Sequence, residues 1–207
     1  MGIRLGDPVG FVGDLAELGR GSGRYTAHAL DDRAGCALLL ALLERHRDTP
    51  PPVTLIVAFT VQEEVGLRGA QNVAHAHCAD VALALDMTAA DDTPELAGGH
   101  LSLGAGPAIK IMDASTLAHP AVRRGLLAAA EASKLAVQHE LLRGIGTDAG
   151  ALQYGGTGTP TGAVSVANRF THSPVEVLDL RDLEGALALL DSFVALLPEL
   201  ELRFLAE

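Results

Sequence analysis

Hydrophobic positions along the chain fall into two periods. Val53 to Thr60 is a continuous apolar, β-branched run of strand length. Val81-Ala82-Leu83-Ala84-Leu85, Val137 to Leu142 and Gly162 to Val166 have the same character. Between them lie stretches with helical spacing. Asp32 to Arg47 is apolar nearly all round, through Ala34, Cys36, Leu38, Leu39, Leu42 and Leu43, which predicts a buried helix. Leu67 to His77 and Asp148 to Tyr154 predict shorter helices, and Leu180 to Leu197 an amphipathic one. His119-Pro120 opens a helix reaching Lys134, with Pro120 in the first turn, where a missing N–H does no harm. Strands alternating with helices, several of the strands apolar throughout, predict an α/β sheet covered on both faces.

Residues 1–25 differ from the rest. Ile3-Arg4-Leu5 and Val9-Gly10-Phe11 are strand-like pieces separated by the turn signature Gly6-Asp7-Pro8, and Gly19 to Gly23 is a flexible loop. Two short strands form no stable unit alone, so 1–25 reads as the end of a β-rich element and 26–207 as the main domain. Ala89 to Gly99 reads as a loop, and Leu101 to Ile111 as short strands around Gly104-Ala105-Gly106-Pro107.

With 207 residues, 48% of them hydrophobic, the chain can bury a real core. A net charge of -11 argues against nucleic acid or an anionic membrane as partner. Cys36 and Cys78 lie in apolar stretches and read as small buried side chains, which suits a reducing cytoplasm. The first residues do not form a signal peptide, and no apolar run is long enough to span a bilayer.

Candidate chemistry collects after the strands. Asp31 and Asp32 open the first helix, Glu63 and Glu64 follow Val53 to Thr60, and Asp86 ends the next strand. Asp148 follows Val137 to Leu142, and His172 lies beyond Gly162 to Val166. For Asp32 alone, N-capping is the simpler reading. Sites in open α/β sheets form beyond the carboxyl ends of strands, and oxygen and imidazole ligands suit zinc or another divalent transition ion. Burying carboxylates is costly unless they are neutralised or bound to a metal.

Five ordered segments carry a family resemblance: Asp31-Asp32-Arg33-Ala34-Gly35, Val61 to Ala70, Ala84-Leu85-Asp86, Gly146-Thr147-Asp148-Ala149 and Thr171 to Glu176. Together they resemble the glutamyl aminopeptidases, the co-catalytic zinc metallopeptidases that include the tetrahedral aminopeptidases and members labelled endoglucanase. The resemblance implies a zinc-peptidase-like central mixed sheet with helices on both faces, acting on N-terminal residues of peptides. It implies Asp31 as the carboxylate bridging two metals, with a cis bond to Asp32, and Glu64 and His172 as further ligands of one metal. Asp86 is then a ligand of the other, and Glu63 the general base towards a metal-activated water. The metal is zinc, or cobalt or manganese in its place, two per site in the intact family. Thr147 and Asp148 resemble part of the substrate pocket.

The family pattern also needs a His-x-Asp segment on an early strand and a β-rich dimerisation domain, and the sequence matches only the last strands of the latter. The expectation is a C-terminal portion that holds one metal well and a second poorly. A non-catalytic homologue that needs a separate N-terminal segment is the alternative. Lost strand neighbours would expose an edge and apolar surface, favouring self-association. Gly144 to Ala149 fits a dinucleotide fingerprint but lacks the acidic residue after the next strand. His75, His77 and Cys78 read as the polar end of a helix, and His28 as facing away from Asp31. No G-x-S-x-G elbow exists, and with 3% aromatic residues the chain offers few platforms for sugars.

Overall fold

The computed structural model describes residues 2–96 and 99–202. Its sheet is built on β6 (Thr161–Arg169), in which every residue from 161 to 168 is buried. Such a strand needs small or apolar residues on both faces, and Gly162-Ala163-Val164-Ser165-Val166-Ala167 supplies them. On one side β3 (Ala82–Ala89) runs parallel to it, from Ala82 opposite Thr161 to Ala89 opposite Asn168. The other side is shared. β4 (Ala108–Met112) pairs antiparallel at Ile109 and Val164, and β7 (Glu176–Asp179) antiparallel at Val177 and Arg169. β5 (Gln138–Leu141) extends the sheet beside β4, while β2 (Arg24–Ala27) and the two-residue β1 (Ala16–Glu17) extend it beside β7. β2, β3 and β6 therefore point the same way, so their carboxyl ends share one rim.

Helices cover both faces. α1 (Leu30–Arg45), α3 (Pro120–Ala132) and α5 (Leu180–Leu196) enclose the main core, where Leu38, Leu126, Leu189 and Phe193 meet Met87, Ile109, Val164 and Val166. α2 (Arg68–Ala76) and the single-turn α4 (Ala149–Leu152) lie on the opposite face, where Ala84, Ala149 and Ala163 permit close approach. His119 caps α3 by accepting from the Ala121 N–H, and Asp179 caps α5 by accepting from that of Arg181.

On the β4 and β5 strands lies a buried ionic cluster. Lys110 Nζ sits 2.6 Å from Glu140 Oε1 and 3.6 Å from Asp113 Oδ2, with all three side chains at most 2% exposed. Thr88 Oγ1 also donates to Glu140 Oε1 at 2.9 Å. Asp113 additionally accepts from Ser115 N–H and Oγ, Thr116 N–H and Thr147 Oγ1.

Several expectations need correcting. Val53 to Thr60 joins no ladder: β3 is bonded to β6 alone, and no described strand lies where an apolar run could pair. Ile56 and Phe59 consequently stay about half exposed, at 49% and 48%. α1 is buried along one stripe, Ala34, Leu38 and Leu42, while Cys36, Leu40 and Leu43 face outward four and three residues apart. Cys36 is therefore exposed, as is Cys78 in the link between α2 and β3. Ile3 to Leu5 and Val9 to Phe11 form no strands, because no neighbour supplies a ladder, and they lie exposed. Leu101 to Pro107 is a loop held by backbone bonds to Asp92, Gln138 and Asp182, and only Ala108 onwards is strand. β3 runs on past Asp86 to Ala89, and β7, unmarked by any alternation, emerges from Val177-Leu178. Among the described residues no helix is long and apolar enough to cross a membrane.

Candidate functional site

Three elements deliver the site to the shared rim. β2 ends at Ala27, and the chain reaches Asp31 through left-handed Ala29. Asp31 and Asp32 carry non-helical dihedrals, and the peptide bond between them is cis. Regular helix starts after Asp32, whose Oδ1 accepts from the Gly35 N–H at 2.8 Å and so caps it. Gly35 leaves room for that carboxylate: a Cβ would lie 2.3 Å from Asp32 Oδ2 and would displace it. Glu63 and Glu64 sit in a turn after left-handed Gln62, closed by Gly66 and Leu67 N–H groups donating to Glu63 O. Gly69 lets this turn fold tightly onto α2, since a Cβ would lie 2.5 Å from the Val61 nitrogen. Beyond β6, His172 takes a left-handed conformation.

These turns bring Asp31, Glu64 and His172 together, with one potential ligand atom of each within 4.8 Å of the others. His172 Nε2 lies 3.1 Å from Asp31 Oδ2 and 3.0 Å from Glu64 Oε1. Bonds of ~2.1 Å in a tetrahedron give edges of roughly 3.4 Å, so small rotations would seat a zinc-sized ion between them. Asp31 is 10% exposed and His172 58%, so the cluster opens to solvent on the imidazole side.

Carboxylates crowd behind that opening. Burial, then Glu64, raises Asp31 to about 6, and burial, then Asp148 and Glu64, raises Glu63 to about 7. Burial is also the main cause that brings Asp32 to about 8 and Asp86 to about 9, with each raised further by neighbouring carboxylates. The leading influences on the four include no lysine or arginine, and His172 lowers Asp31 and Glu63 against the trend. A site so rich in desolvated negative charge is suited to a cation.

The remaining sequence-predicted residues fall around this centre. Asp86 is linked electrostatically to Asp32, Asp31 and Glu63, and its Oδ1 accepts from the Met87 N–H. It belongs to no second group of three ligating side chains among the described residues. Thr147 is buried and its hydroxyl turns inward to Asp113 Oδ2 at 3.3 Å, so only its backbone can border a pocket. Asp148 Oδ2 accepts from Thr60 Oγ1 at 2.5 Å, tying its loop to the one bearing Glu63 and Glu64. His28 is engaged elsewhere, with Nε2 3.1 Å from Arg33 Nη2 and Nδ1 2.9 Å from Gly13 O. His75 and Cys78 line a cavity of about 660 Å³ with Gln71 and Tyr154, and neither belongs to a ligating group among the described residues.

Sequence reasoning missed two contributors. Thr60 carries no signal beyond its place at the end of an apolar run. Glu176, four residues after His172 in a quoted motif, is a buried carboxylate at the start of a strand, and that oddity was its signal.

The fold and this rim define a metallopeptidase-like α/β domain. The model of the M42 glutamyl aminopeptidase family matches residues 1–189, and the chain belongs to that family. A putative aminopeptidase of Acetivibrio thermocellus is 38% identical over 188 residues, 91% of this chain and 56% of that protein. A lysyl aminopeptidase of Pyrococcus furiosus is 32% identical over 203 residues, 97% of this chain and 56% of that protein. Among solved structures, an aminopeptidase from the archaeon Desulfurococcus kamchatkensis superposes with a TM-score of 0.84 at 40% identity, covering 88% of this chain and 51% of that one. The chain thus spans about half the length of the relatives it matches.

Proposed function

We propose that Asp31, Glu64 and His172 hold one divalent ion, zinc in the first instance, in an aminopeptidase site acting on the N-terminal residue of peptides. The convergence of His172 Nε2 on the two carboxylates carries this reading. A bound ion supplies Lewis-acid polarisation of the scissile carbonyl and lowers the pKa of a water it binds. Glu63 is the proton carrier: raised to about 7, it takes a proton from the attacking water near neutral pH and returns it to the leaving amine. Asp148, through Thr60, holds the Glu63 turn in place. Among the described residues, Asp86 and Asp31 offer a second ion two side chains, fewer than a tight zinc site uses. This chain by itself is therefore a weak peptidase or none. Metal analysis and an aminopeptidase assay test the reading: one zinc per chain is expected, and two tightly held ions with strong turnover would contradict it.

A second reading concerns partners. Val53 to Thr60 makes no ladder, and Ile56, Phe59, Val61 and Val65 are exposed along it and the turn that follows. Such a segment invites pairing with another chain or with a separate N-terminal segment. The TET1 peptidase of Pyrococcus horikoshii can assemble into a tetrahedron or a large octahedral shell. Self-association is the corresponding expectation here. Light scattering checks it, and a concentration-independent monomer unchanged by Ile56→Ser and Phe59→Ser counts against it.

A further inference from the structure

We infer that Glu176 is a positioning residue that fixes the distance between Asp31 and His172 by clamping the backbone of both. The inference rests on the metal-site reading above. Glu176 opens β7, which lies between the two strands that deliver those residues: Ala27 of β2 pairs with Glu176 itself, and Arg169 of β6 pairs with Val177. Its carboxylate is divided between them. The Asp31 N–H donates to Oε2 at 3.0 Å, and the His172 N–H donates to Oε1 at 2.8 Å.

The residue is 2% exposed and forms no ion pair with lysine or arginine among the described residues. An acidic group at the head of a strand that continues with apolar Val177 and Leu178 serves poorly as packing, since burying a charge is costly unless its bonds are good. A carboxylate, however, has two equivalent acceptor oxygens a fixed distance apart, and it donates nothing. It can offer a separate oxygen to each of two backbone N–H groups from segments 141 residues apart, whereas a hydroxyl or an amide side chain has a single acceptor oxygen. His172 is in the left-handed region and Asp31 follows left-handed Ala29, so neither turn is held by regular secondary structure at that point. The clamp supplies the missing tie. It also keeps Asp31 Oδ2 and Nε2 of His172 at ligand–ligand spacing before any cation arrives.

Glu176→Gln is nearly isosteric but turns an NH₂ donor towards one of the two N–H groups, so one arm of the clamp opens. Zinc affinity of the full chain is read by competition with a chromophoric chelator, alongside amide hydrogen exchange of the metal-free protein. Outer-shell changes of this kind weaken metal binding by about 10- to 100-fold, and that loss is expected. Exchange is expected to quicken at whichever turn loses its arm, 28–32 or 170–173. Val175→Ala, adjacent and exposed, is the control and leaves both unchanged. If Glu176→Gln does not fold, Glu176→Asp, which is too short to reach both amides, is measured in the same way. Wild-type affinity in the variants, or exchange unchanged at both turns, overturns the inference and leaves the metal site standing. Failure of both variants to fold also overturns it, since Glu176 would then serve the fold as a whole. Absence of zinc binding by the wild-type chain overturns the metal-site reading and this inference with it.

Discussion

Replacing Lys110 by Met should unfold this protein far more readily than its single ammonium suggests. Lys110 Nζ lies 2.6 Å from Glu140 and 3.6 Å from Asp113, and neither carboxylate is exposed. Removing the cation does not affect the two equally. Asp113 keeps four donors, from Ser115 N–H and Oγ, Thr116 N–H and Thr147 Oγ1. Glu140 keeps only the Thr88 hydroxyl, and its Oε2 has no hydrogen-bond partner. The cost therefore falls on Glu140. Removing one member of a buried ion pair costs about 3–5 kcal/mol. At roughly 2–4 °C per kcal/mol for a chain of this size, the melting temperature should fall by roughly 6–20 °C. Thermal and urea unfolding followed by circular dichroism measure it. The same reasoning says that Lys110→Met combined with Glu140→Gln recovers at least half the loss, because the uncompensated charge is gone while the Thr88 bond is kept. A single variant melting within about 2 °C of wild type refutes the argument. So does a double variant no more stable than the single one.

Four further outcomes are expected. Glu63→Gln should leave zinc stoichiometry unchanged and lower any aminopeptidase turnover by about 10²- to 10⁴-fold, read with an aminoacyl chromogenic substrate. His172→Ala should abolish tight zinc binding in equilibrium dialysis while the fold, seen by circular dichroism, is kept. In the metal-free chain Asp31, Glu63, Asp32 and Asp86 are raised to about 6, 7, 8 and 9. Folded-state values above the unfolded ones stabilise fully below about pH 4, and that stability is lost as pH rises through the raised values. The metal-free melting temperature should accordingly fall between about pH 5 and about pH 9, and zinc should flatten the profile in scanning fluorimetry. Gly35→Ala displaces the Asp32 carboxylate and should cost about 1 kcal/mol through the lost cap, visible as a lower melting temperature.

The parts of the fold legible in the sequence were those fixed by local pattern. α2, α3, α5, β5 and β6 follow from apolar period and capping residues, with ends shifted by a few positions. Val53 to Thr60 shows the limit: its composition is that of a core strand, yet a ladder needs a partner and a run of residues cannot reveal whether one is present. Cys36 illustrates the same point for a helix. Its neighbours Leu39 and Leu40 made all faces of α1 look alike, and only the position of the sheet decides which face is covered. At the site, side-chain chemistry was readable and backbone support was not. Asp31, Glu64 and His172 are recognisable as ligand types, and the family resemblance ordered them. Thr60 and Glu176 act through one hydroxyl and two backbone amides, and such bonds leave no spacing signature.

β6 also sets the order in which this molecule can be made. Among the described residues it is the sole ladder partner of β3, and it bonds β4 on its other edge and β7 near its end. Until residues 161–169 have left the ribosome, β3 lacks its described partner, and among the described sheet strands only β1 with β2 and β4 with β5 can join. Closing β3 onto β6 then spans about eighty residues, a separation that slows folding. Through that interval Leu83, Leu85 and Met87, later covered by the main core, lie open to other chains. Assistance from chaperones should therefore matter most while the segment between β3 and β6 is being synthesised.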